Sequence, residues 1–588
     1  MEFFESREDS SLRFHHRIHP QKDSLVAWLD GGFIGTPVKS LEFDLPTTGY
    51  FQTEQNPMEL FTVKNDQLVF HRAKVPRSFF KYSQGTGNLL LLEAEHNQNV
   101  MDRWHIGLSY RRVKIQNIYY SDWPPSTLQR YSNLYNLGFT SRYYTKNLKY
   151  EVLASYVWNK STNLSTGGAL HPGSFADVSG RQKLYADSAK LGGAQNVFAH
   201  NAFQVVQFFR PGKRMIVVND TLQVADSNYA TIHSQWYHKF TASNSRTVFT
   251  DNAFKIEDYF YNRRLYDINT LDSIRTRTFS NTVGFIKNDK KGRLLLDAYV
   301  IHEAVKIFQR NAHQGLFQNV QVGASGALPV LPIHVQGEGQ IAVLGYFAGD
   351  WNGKVYIGSN DSNFAWKVGL QTIRQRPSFN MQYFGSNYYY WHKRFNSTDY
   401  QSLFAQIKLP KVNTSLQAKT YQINNFAYFD KDAQPQQEVG GIQLLKLSLQ
   451  TDGELGTHWI YAAQALYQLS SSSNLRLPLW SAKATFARQG HLFKKSMLAR
   501  LGFDVYYNSE FKGYYYNPAI RNFTLSEQVL GGFPMIDVFM DAQVQTMTLF
   551  VALDHSTQGF FENDAFSTAD YVLLSRSFRF GVVWRLFD

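Results

Sequence analysis

Cysteine is absent from the 588 residues, which excludes disulfides, thiolate metal centres and cysteine nucleophiles. Long hydrophobic runs are absent too. The longest, such as Leu89 to Leu92 and Leu549 to Leu553, are strand-sized and far short of the ~18 apolar residues of a membrane helix. No G-x-S-x-G, Walker or H-E-x-x-H pattern occurs, so none of these catalytic or nucleotide-binding motifs is available. No enzymatic activity and no cofactor are expected. An export leader is also missing: Met1 to Arg7 carries Glu2 and Glu5 where a leader needs a basic and then an apolar segment. For an exported protein, the expectation is that the leader has been removed.

Concentrated charge is lacking as well. Lys and Arg number 60 against 47 Asp and Glu, a formal net charge of +13. Yet the densest basic stretches are only Lys290 to Arg293 and Lys494 to Lys495. A nucleic-acid partner needs a basic patch or stripe, so none is expected. In a membrane barrel the same charges would line the lumen or meet lipopolysaccharide phosphates.

What the chain has in excess is aromatic side chains: 46 Phe, 35 Tyr and 11 Trp, 16% of all residues. The mean hydropathy is nevertheless −0.36. Aromatic richness with a polar average suits a wall that is greasy on one face and wet on the other.

Alternation supports such a wall. Phe578, Phe580, Val582, Trp584 and Leu586 share one face, opposite Ser577, Arg579, Gly581, Val583 and Arg585. That is the period of two of a strand with one face in an apolar medium. The same pattern runs through Met497 to Asn508, Ile536 to Gln545, Trp480 to Phe486, Leu403 to Leu409 and Phe364 to Gln371. A soluble antiparallel sheet also alternates, but these segments are nearer the ~9–11 residues that span a bilayer at a tilt. Aromatics gather near segment ends at Tyr506, Tyr507, Tyr514 to Tyr516, Tyr388 to Trp391 and Trp584, which reads as interfacial girdles.

At Gln545 and Thr546 the apolar face changes phase without a gap, and Met547, Leu549, Val551 and Leu553 take over. This demands a very tight hairpin or a bulge. Short connections recur at Leu409 to Asn413 and Thr451 to Gly456, whereas Ser509 to Phe533 and His555 to Asp570 are long and polar. The expected fold is an all-β, transmembrane antiparallel β-barrel of about 16–22 strands, with short periplasmic turns and long extracellular loops. Residues 1–40 read as an irregular periplasmic lead-in and 41–588 as a single outer-membrane barrel. Residues 160–200 read as a long loop, either folded into the lumen or free outside.

The ending Arg579-x-Gly581-x-x-Trp584-x-Leu586 resembles the C-terminal sorting signature of outer-membrane barrels. The stretch Arg579 to Asp588, with Pro534 to Asp541, Leu549 to His555, Gln558 and Gly559, is similar to the putative porin family of Bacteroidota. So are Pro377 to Trp391 and Glu95 to Val100. The resemblance covers most of the chain loosely and its last 60 residues best. It implies an outer-membrane location and insertion by the barrel-assembly machinery. The porin label itself rests on architecture.

No catalytic or metal constellation emerges. His15, His16 and His19 form the one histidine cluster and read as a solvated polar segment rather than a metal site. A wet lumen requires inward polar side chains, and alternation puts Lys367, Lys408, Lys483, Arg500, Arg579 and Arg585 there with Asp504, Asp537 and Asp541. They read first as charges neutralising one another along the wall. The leading functional expectation is a passive diffusion channel for small hydrophilic solutes, weakly anion-selective if open. The alternative is a plugged barrel serving as a subunit or membrane anchor of a larger outer-membrane or secretion assembly, with periplasmic or outer-membrane partners. A soluble carbohydrate-binding or hydrolytic β protein is a third reading. A TonB-type importer fits less well, because a plug of over a hundred residues should precede its barrel.

Overall fold

The computed structural model describes residues 14–46, 51–53, 56–71, 75–116, 131–169, 189–191, 193–211, 234–251, 265, 269–289, 293–310, 314–330, 333–561, 566–574 and 576–587. Twenty-two antiparallel strands form a closed barrel. The first are β1 (Arg77–Gly85), β2 (Leu89–Met101), β3 (Trp104–Gln116), β4 (Tyr131–Tyr144), β5 (Tyr150–Leu164) and β6 (Ala194–Phe209). Next come β7 (Ser234–Asp251), β8 (Thr270–Asn288), β9 (Leu294–Gln309), β10 (Gln314–Val330), β11 (Ile333–Leu344) and β12 (Trp351–Asn360). Then follow β13 (Ala365–Gln375), β14 (Thr398–Leu409), β15 (Thr414–Asn424), β16 (Ile442–Leu455) and β17 (Trp459–Ser470). The last are β18 (Trp480–Leu492), β19 (Met497–Asn508), β20 (Pro534–Val544), β21 (Met547–Asp554) and β22 (Ser577–Phe587). The seam pairs β1 with β22, from Arg77 against Phe587 to Gly85 against Arg579. Closure leaves the wall without an unpaired edge, as a lipid-embedded sheet must be.

Alternation decides which face meets lipid. Leu501, Phe503, Val538, Met540, Leu549, Val551, Phe578, Phe580 and Trp584 are exposed on the outside, while Asp504, Asp537, Asp541 and Arg579 are buried inside. The phase change at residue 545 is a two-residue hairpin. Val544 pairs with Met547 across it, and Gln545 takes a left-handed backbone, φ 53°. Within the sorting signature, a Cβ at Gly581 would collide with the inward Phe550 ring. That close approach explains the glycine.

The two ends differ. At one end the connections run from two to five residues, apart from 210–233, and the wall begins and finishes there. Exposed Trp104, Trp236, Trp459 and Trp584 ring this end. At the other end lie the long connections 165–193, 376–397, 425–441, 509–533 and 555–576. By the rule for such barrels, the first end is periplasmic and the second extracellular.

Several long loops turn inward. Residues Phe511–Asn517 and Asn522–Leu530 form an internal hairpin, and Phe379–Gln382 is a single helical turn buried inside. Tyr388, Tyr389, Trp391, Tyr514 and Tyr516 are therefore buried in luminal clusters, and Tyr506 is buried too. These aromatics belong to the interior and not to the interfacial girdles that the sequence suggested. Their rings have apolar partners across the lumen, which local sequence cannot display. Of the 160–200 loop, the described ends Ser165–Ala169 and Ala189–Leu191 are folded in, with Lys190 paired to Asp570 at 2.6 Å; 170–188 lies outside the described residues.

Candidate functional site

The lumen is occupied by the chain's own N-terminal segment, of which residues 14–46, 51–53 and 56–71 are described. The first wall strand begins only at Arg77, so residues 41–71 lie outside the wall although the sequence assigned them to it. Residues 14–40, the described part of the expected periplasmic lead-in 1–40, pack against the inner wall and its loops. The segment then continues around the interior. Phe43 N–H donates to Gln468 on β17 and Phe51 N–H to Glu303 on β9. Val63 exchanges hydrogen bonds with Asn159 on β5, at 2.9 Å each way. Gly32 takes φ 94° where it passes Val572, and a Cβ there would strike the Val572 carbonyl. Leu574 N–H donates to its carbonyl at 2.9 Å.

The seat of this segment is ionic, built by β18 to β22. Alternation aims Thr485, Arg500, Asp504, Asp537, Phe539, Asp541, Asp554 and Arg579 inward, all buried. Arg17 holds Asp504 with two nitrogens, at 2.8 and 3.1 Å. Lys22 pairs with Asp537 and lies 3.5 Å from Asp554. His16 reaches Asp504 at 2.9 Å and Asp541 at 3.4 Å. Its ring stacks on Phe539 with centroids 3.6 Å apart. On the wall side, Arg579 grips Asp554 at 2.6 and 2.8 Å and donates to the His16 carbonyl, while Arg500 pairs with Asp541.

The balance of charge is informative. The four buried wall carboxylates pair with two wall guanidiniums, Arg500 and Arg579, and with Arg17 and Lys22; the wall's Lys483 and Arg585 lie close by but meet the Asp23 carbonyl and His15 instead. Burial opposes the charge on Arg17, but hydrogen bonding to Asp504 together with the charges of Tyr506, Asp504 and Asp23 outweighs it and holds the pKa above its ordinary value. Lys22 is likewise raised: burial works against it, and Asp537 and Asp554 outweigh burial. Both stay charged, so the segment is the counter-ion of the wall.

The inward residues named from the sequence fall into two groups. Lys483, Arg500, Asp504, Asp537, Asp541, Arg579 and Arg585 gather around residues 15–23. Lys483 donates to the Asp23 carbonyl at 2.9 Å, and Arg585 meets His15 at 3.2 Å. Lys367 and Lys408 stand apart on β13 and β14 near the periplasmic end. Lys367 lies 5.2 Å from the Tyr356 ring, and Lys408 is exposed to the lumen. Sequence reasoning missed Asp554, although it ends the alternating run from Met547. It also missed His16, Arg17 and Lys22. Polar space remains between segment and wall: a cavity of about 310 Å³ is lined by Gln67, His71, Glu93, Glu95, Arg111 and Asn136.

Residues 5–588 match a family model described as putative porin. The chain belongs to that family. A search of curated protein sequences finds no match. Among solved structures, this porin-family member is similar to the copper transporter OprC, at 9% identity over 95% of this chain and 94% of that one, TM-score 0.65. It is also similar to the ferric-catecholate import receptor Fiu from K12 E. coli, at 9% identity over 88% and 82%, TM-score 0.61. The FrpB iron transporter from Neisseria meningitidis (F3-3 variant) gives 9% identity over 87% and 82%, TM-score 0.59. At such identities the shared property is the fold, an outer-membrane barrel.

Proposed function

We propose that this porin-family protein is an outer-membrane transport barrel closed at rest by residues 14–71, which passes small hydrophilic solutes only when that segment leaves its seat. The observation that carries the reading is the buried ionic seat joining Arg17 and Lys22 to Asp504, Asp537 and Asp554. Buried pairs of this kind fix one position sharply, yet their desolvation cost keeps the net gain small. A seat that is specific but not overwhelmingly stable suits a part that must move. The roles of the similar structures, an iron transporter, a ferric-catecholate import receptor and a copper transporter, favour a transport role. The reading gives the protein no catalytic role. Insertion would proceed through the barrel-assembly machinery acting on the Gly581 to Leu586 end.

Planar-bilayer recording separates this from an open diffusion channel. The intact protein should show no large steady conductance, and a variant lacking residues 14–71 should show large steps. Its ion preference is set by two opposed groups: Lys354, Lys367 and Lys408 in the periplasmic half with Glu338 as the nearby acid, and the wall carboxylates Asp504, Asp537, Asp541 and Asp554, which loss of Arg17 and Lys22 leaves with fewer cations. A large steady current through the intact protein would restore the passive-channel reading. No current even without the segment would favour a plugged barrel anchoring a larger assembly, which the same seat also supports.

A further inference from the structure

The lipid-facing side of the barrel is not uniformly apolar. On β3, β5, β7, β8 and β9, the outward row contains Arg112, Lys160, Arg246, Arg275, Arg277 and Lys306. Strand pairing joins them into one continuous band. Arg275 stands opposite Arg246, Arg246 opposite Ala199 and Ala199 opposite Lys160. Lys160 stands opposite Tyr135 and Tyr135 opposite Arg112. One step down the strands, Arg277 stands opposite Lys306. Pairing across an antiparallel sheet puts both partners on the same face, so the whole set points away from the lumen.

Depth places the band at a particular level. Counted from the periplasmic end, the outward residues of β5 run from Tyr150 through Val152, Ala154 and Tyr156 to Trp158 before Lys160. On β7 they run from Trp236 through His238, Phe240 and Ala242 to Asn244 before Arg246. Each stretch is about nine residues, the length that crosses the hydrocarbon at a tilt. The cations therefore begin where the outer leaflet's headgroups begin. Aromatic neighbours Tyr110, Tyr135, Trp158 and Phe279 lie at or just beneath the band, as expected for an interface.

Charge in this band is unbalanced. Among the described residues, the outward faces of β3 to β9 carry no Asp or Glu. Lys160, Arg246, Arg275, Arg277 and Lys306 are all exposed. Asn244, at 2.8 Å from Arg275, is a neutral partner. Elsewhere at this level, Arg374 on β13 has Asp399 at 3.5 Å. Exposed guanidiniums and ammoniums at a membrane surface, set on five of seven adjoining strands, repel one another until an anion joins them.

We propose that this band is a docking surface for phosphate-bearing lipid headgroups of the outer leaflet, the phosphates bridging neighbouring strands while the acyl chains lie on the apolar wall beneath. Guanidiniums grip phosphate oxygens in pairs, and lipid supplies both the anion and the grease at the right depth. Free inorganic phosphate offers only the first. The surface lies outside the lumen, so it stands or falls independently of the gated-transport reading.

The test uses the purified full chain, delipidated in neutral detergent and titrated with bis-phosphorylated lipid A, followed by native mass spectrometry. Bound lipid A should exceed its dephosphorylated form by at least about tenfold, and the excess should shrink as salt rises. The variant Lys160→Gln, Arg246→Gln, Arg275→Gln, Arg277→Gln and Lys306→Gln should lose at least about tenfold in binding. The luminal variant Lys367→Gln with Lys408→Gln should bind as the intact protein does. If the fivefold variant fails to fold, the paired variant Arg246→Gln with Arg275→Gln and the comparison of phosphorylated with dephosphorylated lipid still decide the matter. Equal binding of the two lipids, undiminished binding by a folded variant, or full displacement by millimolar inorganic phosphate would overturn the proposal.

Discussion

Replacing Asp504 by alanine removes the carboxylate that two N-terminal residues share. Arg17 would keep a guanidinium in a pocket where it is 8% exposed, His16 would lose its 2.9 Å partner, and the Thr485 hydroxyl would lose its acceptor. Breaking a buried ion pair from one side costs about 3–5 kcal/mol. The wall does not bear that cost, because β19 remains paired along its length with β18 and β20. It falls on the seating of residues 14–71. At about 1.4 kcal/mol per decade, the released population should rise roughly 10²-fold to several thousandfold. The chain contains no cysteine, so Ile18→Cys, at a buried position beside Arg17, provides a single label site. Modification by a water-soluble maleimide should be faster by that factor in the Asp504→Ala background. The double change Arg17→Met with Asp504→Leu should return the rate most of the way, since it leaves no orphaned charge. Equal labelling rates in the two backgrounds, with the barrel still folded, would refute the claim that this pair holds the segment in place.

Two further outcomes follow from the same geometry. Val538→Arg should cut the yield of folded barrel sharply, because a cation on the outer face near mid-membrane costs about 2–4 kcal/mol, whereas Gln543→Arg, inside the wall, should cost much less. Acidification should loosen the segment. His15 is lowered from 6.5 to about 4, by burial first and then by Arg585 and Lys81, with Asp541 opposing and Arg500 adding to the effect. His19 falls to about 3, by burial and then Lys22, with Asp554 opposing and Arg579 and Arg111 adding. Both are neutral in the seated segment and bind protons once released, so seating is strongest above pH 6.5 and weakens as pH falls towards 4. Hydrogen exchange of residues 14–45, corrected for intrinsic rates, should show faster opening at pH 5 than at pH 7.5; unchanged opening would contradict the assignment.

The barrel was legible because its information is local. A period of two from Phe578 to Leu586 assigns every side chain to lipid or lumen without knowledge of neighbouring strands, and the phase slip at residue 545 marks a hairpin by itself. The seat was not legible. Its partners lie far apart in the chain: Arg17 and Asp504 are separated by 487 positions, and Lys22 and Asp537 by 515. No periodicity within residues 14–45 announces such a partner, and a run containing His15, His16, Arg17 and His19 reads like any solvated stretch. The inward hairpin Phe511–Leu530 was hidden for a related reason. Its tyrosines have the composition of a membrane girdle, and only the neighbouring segment 27–41 makes them an interior cluster.

The bond from Arg579 to the carbonyl of His16 joins positions 563 apart, and it ties the order of synthesis to the order of folding. Residues 14–22 are made before any strand of the wall, while the strand carrying Arg579 is the last of the wall. Until β19 to β21 are made, Arg17 and Lys22 have none of their eventual carboxylates and must travel as solvated cations. The polarity of the leading stretch is thus a condition of safe passage as much as of its final grip. Once β22 zips onto β1, the last hairpin delivers Asp554 and Arg579 together, and the beginning of the chain acquires its anchor. A barrel stalled one strand short would offer Asp504 and Asp537 but lack the Arg579 grip on Asp554 and on the His16 carbonyl, so the complete seat exists only in a finished ring.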